Sequence, residues 1–149
     1  MKLCLVCSSG GHLIQLHLLR SWWSKYNRFW VTFKKEDALS LLEDEKVYYG
    51  YFPTTRNIKN LIRNTLLAVK ILTKERPNII ISTGAGIAVP FFYLGKLLKA
   101  KLIYVEVYDR ISSPTLTGKV VCPITDIFVL QWEKQKKFYP KGVVIGELL

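Results

Sequence analysis

The chain has 149 residues, enough for one domain with a single core, and half of them are hydrophobic. Its 22 Lys and Arg against 11 Asp and Glu give a net charge of +11, which indicates an acidic partner such as nucleic acid, anionic lipid or a phosphorylated substrate. Three cysteines are too few for a disulfide framework, which excludes a small disulfide-stabilised secreted domain and favours the cytosol.

The sequence indicates neither a targeting signal nor a membrane-spanning helix. Polar residues 8–12 interrupt the N-terminal apolar run too early for a signal peptide. The longest uncharged stretch, 77–95, contains two prolines and several glycines, which do not suit a spanning helix. We therefore expect a cytoplasmic protein with no segment that crosses a membrane.

Apolar runs bounded by turn residues alternate along the chain with helical patterns. The predicted strands are 2–7, 28–33, 47–52, 78–82, 101–106, 127–130 and 143–145. The predicted helices are 11–23, 36–43, 57–75, 87–98, 117–121 and 133–138. This alternation predicts a single α/β, Rossmann-like domain over residues 1–149, with a doubly wound, mainly parallel sheet. Ligands of such sheets bind at the carboxyl ends of the strands, where the strand order reverses.

Cys4 and Cys7, in the first strand, have the C-x-x-C spacing of redox and metal sites. Their odd separation places them on opposite faces of a strand, and no second pair of Cys or His accompanies them. We expect ordinary buried cysteines and no bound metal.

The first strand runs into Ser8-Ser9-Gly10-Gly11-His12 at the start of the first helix. Glycines allow a sharp turn and close approach to a ligand, and the free N–H groups of a helix start favour anions. Ser9, Gly10 and Gly11 are therefore candidates to bind phosphate or hydroxyl oxygens, with His12 beside them. The full G-x-G-x-x-G pattern is absent, so a plain turn with a solvated His12 is the alternative.

Two further strand ends carry small or charged residues. Ser82-Thr83-Gly84-Ala85-Gly86 follows an apolar strand and precedes a helix, which makes Gly84, Ala85 and Gly86 candidate substrate-binding residues. Glu106, Asp109 and Arg110 arrive together after the next strand, where a carboxylate could act as a base or bind a hydroxyl group. The alternatives are a tight turn at the glycines and a surface ion pair at 109–110.

The helix predicted over 57–75 accounts for much of the positive charge. At 100° per residue its basic side chains fall on one arc, with two leucines in or beside it. These residues are Arg56, Lys59, Arg63, Leu66, Leu67, Lys70 and Lys74. The opposite side carries Ile58, Leu61, Ile62, Ala68, Val69 and Leu72. A basic face with embedded leucines suits an anionic bilayer, and a solvated amphipathic helix is the alternative.

The helix predicted over 87–98 is apolar nearly all round, so Phe91 and Phe92 are either buried or dipped into lipid. Nucleic acid is the competing acidic partner. The aromatic residues lie in core patterns rather than between the basic ones, and no nucleic-acid-binding module is present. We expect peripheral attachment to the inner face of the cell membrane and no contact with nucleic acid.

Together, the loop motifs resemble the asparagine-linked glycosylation protein 14 family, which includes bacterial capsule and exopolysaccharide homologues. The resemblance rests first on Ser8–His12, Ser82–Gly86 and Tyr104-Val105-Glu106. It extends in the same order through Leu116–Lys119, Asp126–Trp132, Tyr139-Pro140 and Gly146-Glu147-Leu148, and so covers essentially the whole chain.

The resemblance implies the N-terminal, acceptor-binding half of a GT-B glycosyltransferase, similar to the peptidoglycan lipid-II synthase. A second subunit with the C-terminal half would hold most of the UDP-sugar donor, and no further cofactor is expected. The acceptor would be a polyprenyl-diphosphate-linked saccharide at an anionic membrane surface. His12 would then be the catalytic base, because a helix N-terminus favours a neutral ring, and Glu106 is the rival base or an acceptor-orienting group.

Two functions remain open on the sequence. The chain either supplies catalytic residues and the acceptor site, or it is a non-catalytic membrane adaptor that recruits and activates a catalytic partner. The segment 139–149, which ends in apolar residues, is the candidate contact with that partner, and a frayed terminus is the alternative.

Overall fold

The computed structural model describes residues 1–148, which form seven parallel strands with helices between them. The strands are β1 (Lys2–Cys7), β2 (Asn27–Phe33), β3 (Val47–Gly50), β4 (Ile79–Gly84), β5 (Lys101–Val105), β6 (Ile127–Leu130) and β7 (Val143–Val144). The helices are α1 (Gly11–His17), α2 (Arg20–Trp23), α3 (Glu36–Leu41), α4 (Ile58–Glu75), α5 (Ala88–Leu97) and α6 (Leu116–Val121), with 3₁₀ turns at Cys122–Ile124 and Glu133–Lys137.

The strand order is β3-β2-β1-β4-β5-β6-β7, and each neighbouring pair is parallel. The predicted Rossmann-like, doubly wound sheet is therefore confirmed. The order reverses between β1 and β4, so the carboxyl ends of these two strands flank the place where such sheets bind ligands.

Strand β1 is buried on both faces, as its continuous apolar sequence indicates. Cys4 packs in one core cluster and Cys7 in the other, which confirms that they lie on opposite faces. Burial raises the pKa of both thiols well above the ordinary value, so both cysteines are protonated at neutral pH. Inert core cysteines are the result, since metal binding and redox exchange require a thiolate.

The helix predicted over 11–23 is interrupted, and this part of the prediction was wrong. Helix α1 ends at His17, and α2 begins at Arg20. The buried Trp23 indole N–H donates to the Leu16 carbonyl at 3.1 Å, which takes an acceptor that a continuous helix would use. The break is therefore a consequence of tertiary packing that local periodicity does not reveal.

Helix α4 is rotated relative to the sequence prediction. The residues that it buries are Asn60, Asn64, Ala68, Ile71, Leu72 and Glu75. Asn64 accepts the N–H of Tyr51 at 2.8 Å and donates to its carbonyl at 2.9 Å. Asn60 donates to the Pro53 carbonyl at 2.8 Å. The two asparagines thus satisfy backbone groups of the segment after β3, which requires the polar side of the helix start to face inwards.

The apolar side of α4 faces outwards as a result. The exposed apolar residues are Ile58, Leu61, Ile62, Leu66 and Val69. The predicted basic residues Lys59, Arg63, Lys70 and Lys74 are exposed as well, next to this apolar stripe. Leu67 instead packs partly against the core.

Helix α5 is buried between the sheet and its neighbouring helices. Phe91 and Phe92 have no exposed surface and belong to the core cluster that contains Ala68 and Leu72 of α4. Of the two alternatives for Phe91 and Phe92, burial is therefore correct, and their assignment to the membrane-binding surface is corrected. The apolar residues of the first turns of α5 are explained by burial against protein, whereas Tyr93 and Leu97, further along the helix, are exposed.

A buried carboxylate joins the amino-terminal ends of the strands. Glu75, at the end of α4, lies 3.0 Å from Lys2 Nζ and 2.5 Å from Lys46 Nζ, and it accepts the Tyr48 hydroxyl. Burial by itself would raise the pKa of Glu75, but the hydrogen bonds and charges of these three residues outweigh it and lower the pKa to about 2.

We expect this cluster to make the free energy of unfolding depend on pH in the acidic range. The unfolded chain protonates Glu75 near its ordinary pKa of 4.5 and the folded chain only near 2, so the stabilisation is complete above pH 4.5 and is lost as the pH falls through 2. Glu75→Gln should lower the free energy of unfolding by on the order of 2 kcal/mol at pH 7 and by much less near pH 2. Urea unfolding at both pH values measures this; an equal loss at both would contradict the ion-pair explanation.

Candidate functional site

A crevice of about 420 Å³ opens at the carboxyl ends of the central strands. Its lining consists of Gly11, His12, Gln15, Val107, Tyr108, Asp109, Arg110 and Thr115. The structure thus brings together four residues that the sequence singled out separately: Gly11, His12, Asp109 and Arg110. Parallel pairing explains this, because the carboxyl ends of all the strands meet at one edge of the sheet.

His12 is held by two hydrogen bonds to Thr83, near the carboxyl end of β4. Its Nδ1 lies 2.9 Å from the Thr83 carbonyl, and the Thr83 hydroxyl donates to the His12 carbonyl at 2.6 Å. A carbonyl oxygen can only accept, so Nδ1 must carry the hydrogen. The neutral ring then keeps a lone pair on Nε2, which can accept a proton from a molecule bound in the crevice.

Gly84 allows His12 to approach the end of β4. A Cβ atom at Gly84 would lie 2.8 Å from the Tyr104 hydroxyl and 3.0 Å from His12 Cε1, and the backbone there has φ +123°. The next residue, Ala85, also has a positive φ of 69°. Two consecutive residues in a conformation that side chains disfavour indicate a loop held in place by its surroundings.

Gly10 differs from its predicted role. Its N–H donates to the Asp37 carboxylate at 2.6 Å, so this donor already has an anionic acceptor within the protein. A phosphate at this position would meet a negative charge. The expectation that the Gly10 N–H binds phosphate is therefore corrected. Asp37 does not bind Ser9, so the predicted role of Ser9 stays a prediction.

Asp37 is a site residue that the sequence reasoning missed. It lies in the first turn of α3, which follows β2, the neighbour of β1. Two consecutive acidic residues at a helix start, Glu36 and Asp37, were the available signal, because helices after parallel strands begin at the same sheet edge.

Glu106 lies beneath the crevice rather than in it. The residue is 0% exposed, and its carboxylate accepts the Tyr139 hydroxyl at 2.7 Å and the Thr115 hydroxyl at 2.9 Å. Burial and then the nearby Glu106 raise the pKa of Tyr139, so this phenol remains a donor. The expectation that Glu106 is the rival base or orients the acceptor is corrected, because its carboxylate is fully buried and holds Thr115 and Tyr139.

An apolar groove of about 470 Å³ adjoins the crevice. Its lining consists of Thr54, Arg56, Asn57, Ile58, Leu61, Asn64, Gly86, Val89, Leu116, Thr117 and Val120. In one segment, Thr115 lines the crevice and the next residue, Leu116, lines the groove. In the other, Gly84 lies against His12 of the crevice, and Gly86 lines the groove. The same two chain segments therefore connect the polar crevice to the apolar groove. Across residues 1–148, no helix has the length and apolar character needed to cross a bilayer.

Known proteins resemble this chain over most of its length. Human UDP-N-acetylglucosamine transferase subunit ALG14 is 23% identical, in an alignment that covers 100% of this chain and 83% of that protein. The subunit of the same name from Candida albicans is 28% identical, with 99% of this chain and 78% of that protein covered.

Solved structures share the fold. Acinetobacter baumannii MurG superposes with a TM-score of 0.74 at 13% identity, over 90% of this chain and 43% of MurG. The UDP-GlcNAc 2-epimerase of Neisseria meningitidis gives 0.77 at 13% identity, over 99% of this chain and 47% of the epimerase. The chain thus spans less than half of these structures.

A family model settles the relationship that these pairwise similarities indicate. The model described as "Oligosaccharide biosynthesis protein Alg14 like" matches residues 3–148. The chain therefore belongs to the Alg14-like family of oligosaccharide biosynthesis proteins.

Proposed function

We propose that this chain is the acceptor-binding and membrane-associating subunit of a two-chain glycosyltransferase in polysaccharide biosynthesis. The enzyme transfers a sugar from a UDP-sugar to a lipid-diphosphate-linked saccharide. The observation that carries the proposal is His12, fixed by Thr83 with Nε2 available, in a crevice at the strand-order reversal. Relatives named as UDP-N-acetylglucosamine transferase subunits support the reaction class.

The proposed reaction is a direct displacement with inversion. The acceptor hydroxyl oxygen attacks the anomeric carbon of the donor sugar, the bond from that carbon to the diphosphate breaks, and UDP leaves with the bonding electrons. The hydroxyl proton passes to His12 Nε2. Asp109, Arg110 and the backbone at Ser9 and Gly11 bind the acceptor sugar, while the partner subunit holds the UDP-sugar.

The diphosphate and lipid of the acceptor follow the connection from crevice to groove. Backbone N–H groups at Ala85 and Gly86, in the turn that leads into helix α5, suit a diphosphate. The groove beyond Gly86 is lined by Ile58, Leu61 and Leu116, and suits the first part of an isoprenoid chain. Arg56 at its rim adds positive charge next to the diphosphate.

Membrane contact is proposed for the outward side of α4. The exposed apolar residues Ile58, Ile62, Leu66 and Val69 lie beside the exposed Lys59, Arg63, Lys70 and Lys74. An apolar stripe with adjacent cations binds the interface of an anionic bilayer through both the hydrophobic effect and charge. The chain then works at the cytoplasmic face, where its groove opens towards the lipid.

Partner contact is proposed for the C-terminal segment 139–148, with Leu149 outside the described residues. Tyr139 is buried and its hydroxyl donates to Glu106, so it does not face a partner. Val143 and Ile145 are 53% and 52% exposed, and β7 is the edge strand of the sheet. An exposed apolar edge strand is a surface on which a second chain can pack.

We expect His12→Ala to lower turnover by about 100-fold or more in the complex isolated from its host, because a positioned base typically contributes that much. Partner co-purification should be unchanged, and the melting temperature should fall only slightly, because the variant removes one of the two hydrogen bonds to Thr83. Glu106→Gln should lower the melting temperature more, because Glu106 is fully buried. Turnover comes from radiolabelled UDP-sugar and lipid acceptor; a His12→Ala complex with wild-type turnover would favour the non-catalytic adaptor.

We expect Gly84→Ala to cost more stability than Gly146→Ala, its matched control. Both glycines have positive φ, but a Cβ atom at Gly146 meets nothing within 4 Å, whereas one at Gly84 meets His12 and Tyr104. The control measures backbone strain alone, about 1 kcal/mol, and Gly84→Ala should cost roughly twice that. Urea unfolding measures both; equal losses would mean that Gly84 does not position His12.

We expect the double variant Lys59→Glu, Arg63→Glu to weaken binding to phosphatidylglycerol vesicles at least about tenfold, since each cation near an anionic surface contributes about 1 kcal/mol. Lys134→Glu, Lys136→Glu is the matched control, with the same change of net charge on the exposed 3₁₀ turn. Vesicle co-sedimentation measures the binding. Equal weakening by both pairs, or none by the first, would contradict a membrane face on α4.

A further inference from the structure

Three buried glutamines join the C-terminal segment to the floor of the crevice. Gln15 lies in α1, Gln131 directly after β6, and Gln135 in the 3₁₀ turn that follows. None of the three was singled out by the sequence patterns, since a buried amide has no characteristic spacing.

Gln131 contacts three separate parts of the chain. Its Oε1 accepts the backbone N–H of Leu148 at 3.0 Å. Its Nε2 donates to Gln15 Oε1 at 2.7 Å and to the Glu106 carbonyl at 3.0 Å. Both amide hydrogens and the amide oxygen therefore have partners, and Leu148 also packs against the core cluster on that face of the sheet.

The loop 107–110 is held from its inner side by the same network. Gln15 Oε1 accepts the Tyr108 N–H at 3.3 Å. Gln135 Nε2 donates to the Val107 carbonyl at 3.0 Å and the Arg110 carbonyl at 3.3 Å. The side chains of Tyr108, Asp109 and Arg110 are left exposed at the crevice.

The two halves of the network meet at Gln131, whose side chain belongs to one half and whose backbone N–H belongs to the other. Gln135 Oε1 accepts the Gln131 N–H at 2.9 Å and the Trp132 N–H at 3.1 Å, and the Trp132 indole donates to the Tyr108 carbonyl at 2.5 Å. In a buried network a group cannot give up one partner without leaving another unsatisfied. A displacement of Leu148 therefore disturbs the hydrogen bond of the Tyr108 backbone N–H.

We propose that Gln131 is a positioning residue through which the C-terminal segment sets the backbone of the loop 107–110. A partner that packs on Val143 and Ile145 stabilises the segment, and Gln131 passes that order to the crevice. The link between segment and loop rests on the hydrogen bonds alone, whereas the partner contact and the consequence for acceptor binding rest on the proposed function.

Hydrogen exchange of the chain without a partner tests the link. Gln131→Met removes all three hydrogen bonds at similar length, and a chain that ends at Glu147 removes the Leu148 N–H instead. Both should speed amide exchange in 107–110 about tenfold. Ile71→Ala, in the core cluster on the other face of the sheet, controls for general destabilisation. Unchanged exchange in both variants, or equal acceleration in the control, would overturn the inference.

Kinetics of the complex separate this inference from the proposed function. Gln131→Met should raise the KM for the lipid-linked acceptor about tenfold and leave the KM for UDP-sugar and the co-purification unchanged. Faster exchange without a change in acceptor KM would keep the link between segment and loop but remove the acceptor from the loop. A rise in both KM values would overturn a positioning role specific to the acceptor side.

Discussion

The reciprocal hydrogen bonds between His12 and Thr83 connect the start of α1 to the end of β4, and the crevice depends on this contact. They form because β1 pairs directly with β4, so residues about seventy positions apart in sequence end at the same sheet edge. Gly84 completes the contact, since a side chain there would occupy the space of the imidazole. The wall of the crevice that contains His12 is fixed in this way, and the ring is held in one tautomer.

The opposite wall, formed by residues 107–110 and Thr115, depends on buried polar groups rather than on apolar packing. Glu106 and Gln131 are buried, and each is satisfied by partners from distant segments. Because an unsatisfied buried group is costly, such a network permits one backbone arrangement and leaves outward-facing side chains free to bind a ligand. Asp109 and Arg110 are exposed on that loop, and the acceptor-binding role proposed for them relies on this combination of a rigid inner side and an exposed outer side.

Local patterns predicted the element order and the loops, because apolar runs and glycine turns are read within a few residues. The failures come from contacts between distant residues. Asn64 faces inwards because it satisfies Tyr51, which rotates α4 and exposes apolar residues beside the basic ones. Glu106 is at the predicted strand end but is buried by Tyr139, 33 residues later. Asp37 reaches Gly10 from another helix. None of these pairings leaves a periodic signal in the sequence.

Sugar transfer by the purified chain, with and without its donor-binding partner, tests most directly whether the crevice is one wall of a shared active site. The assay follows radiolabel from a UDP-sugar into a diphosphate-linked lipid acceptor. Negligible transfer by the chain alone, restored when the partner is added, is the expected result. Full transfer by the chain in the absence of any partner would contradict a divided glycosyltransferase.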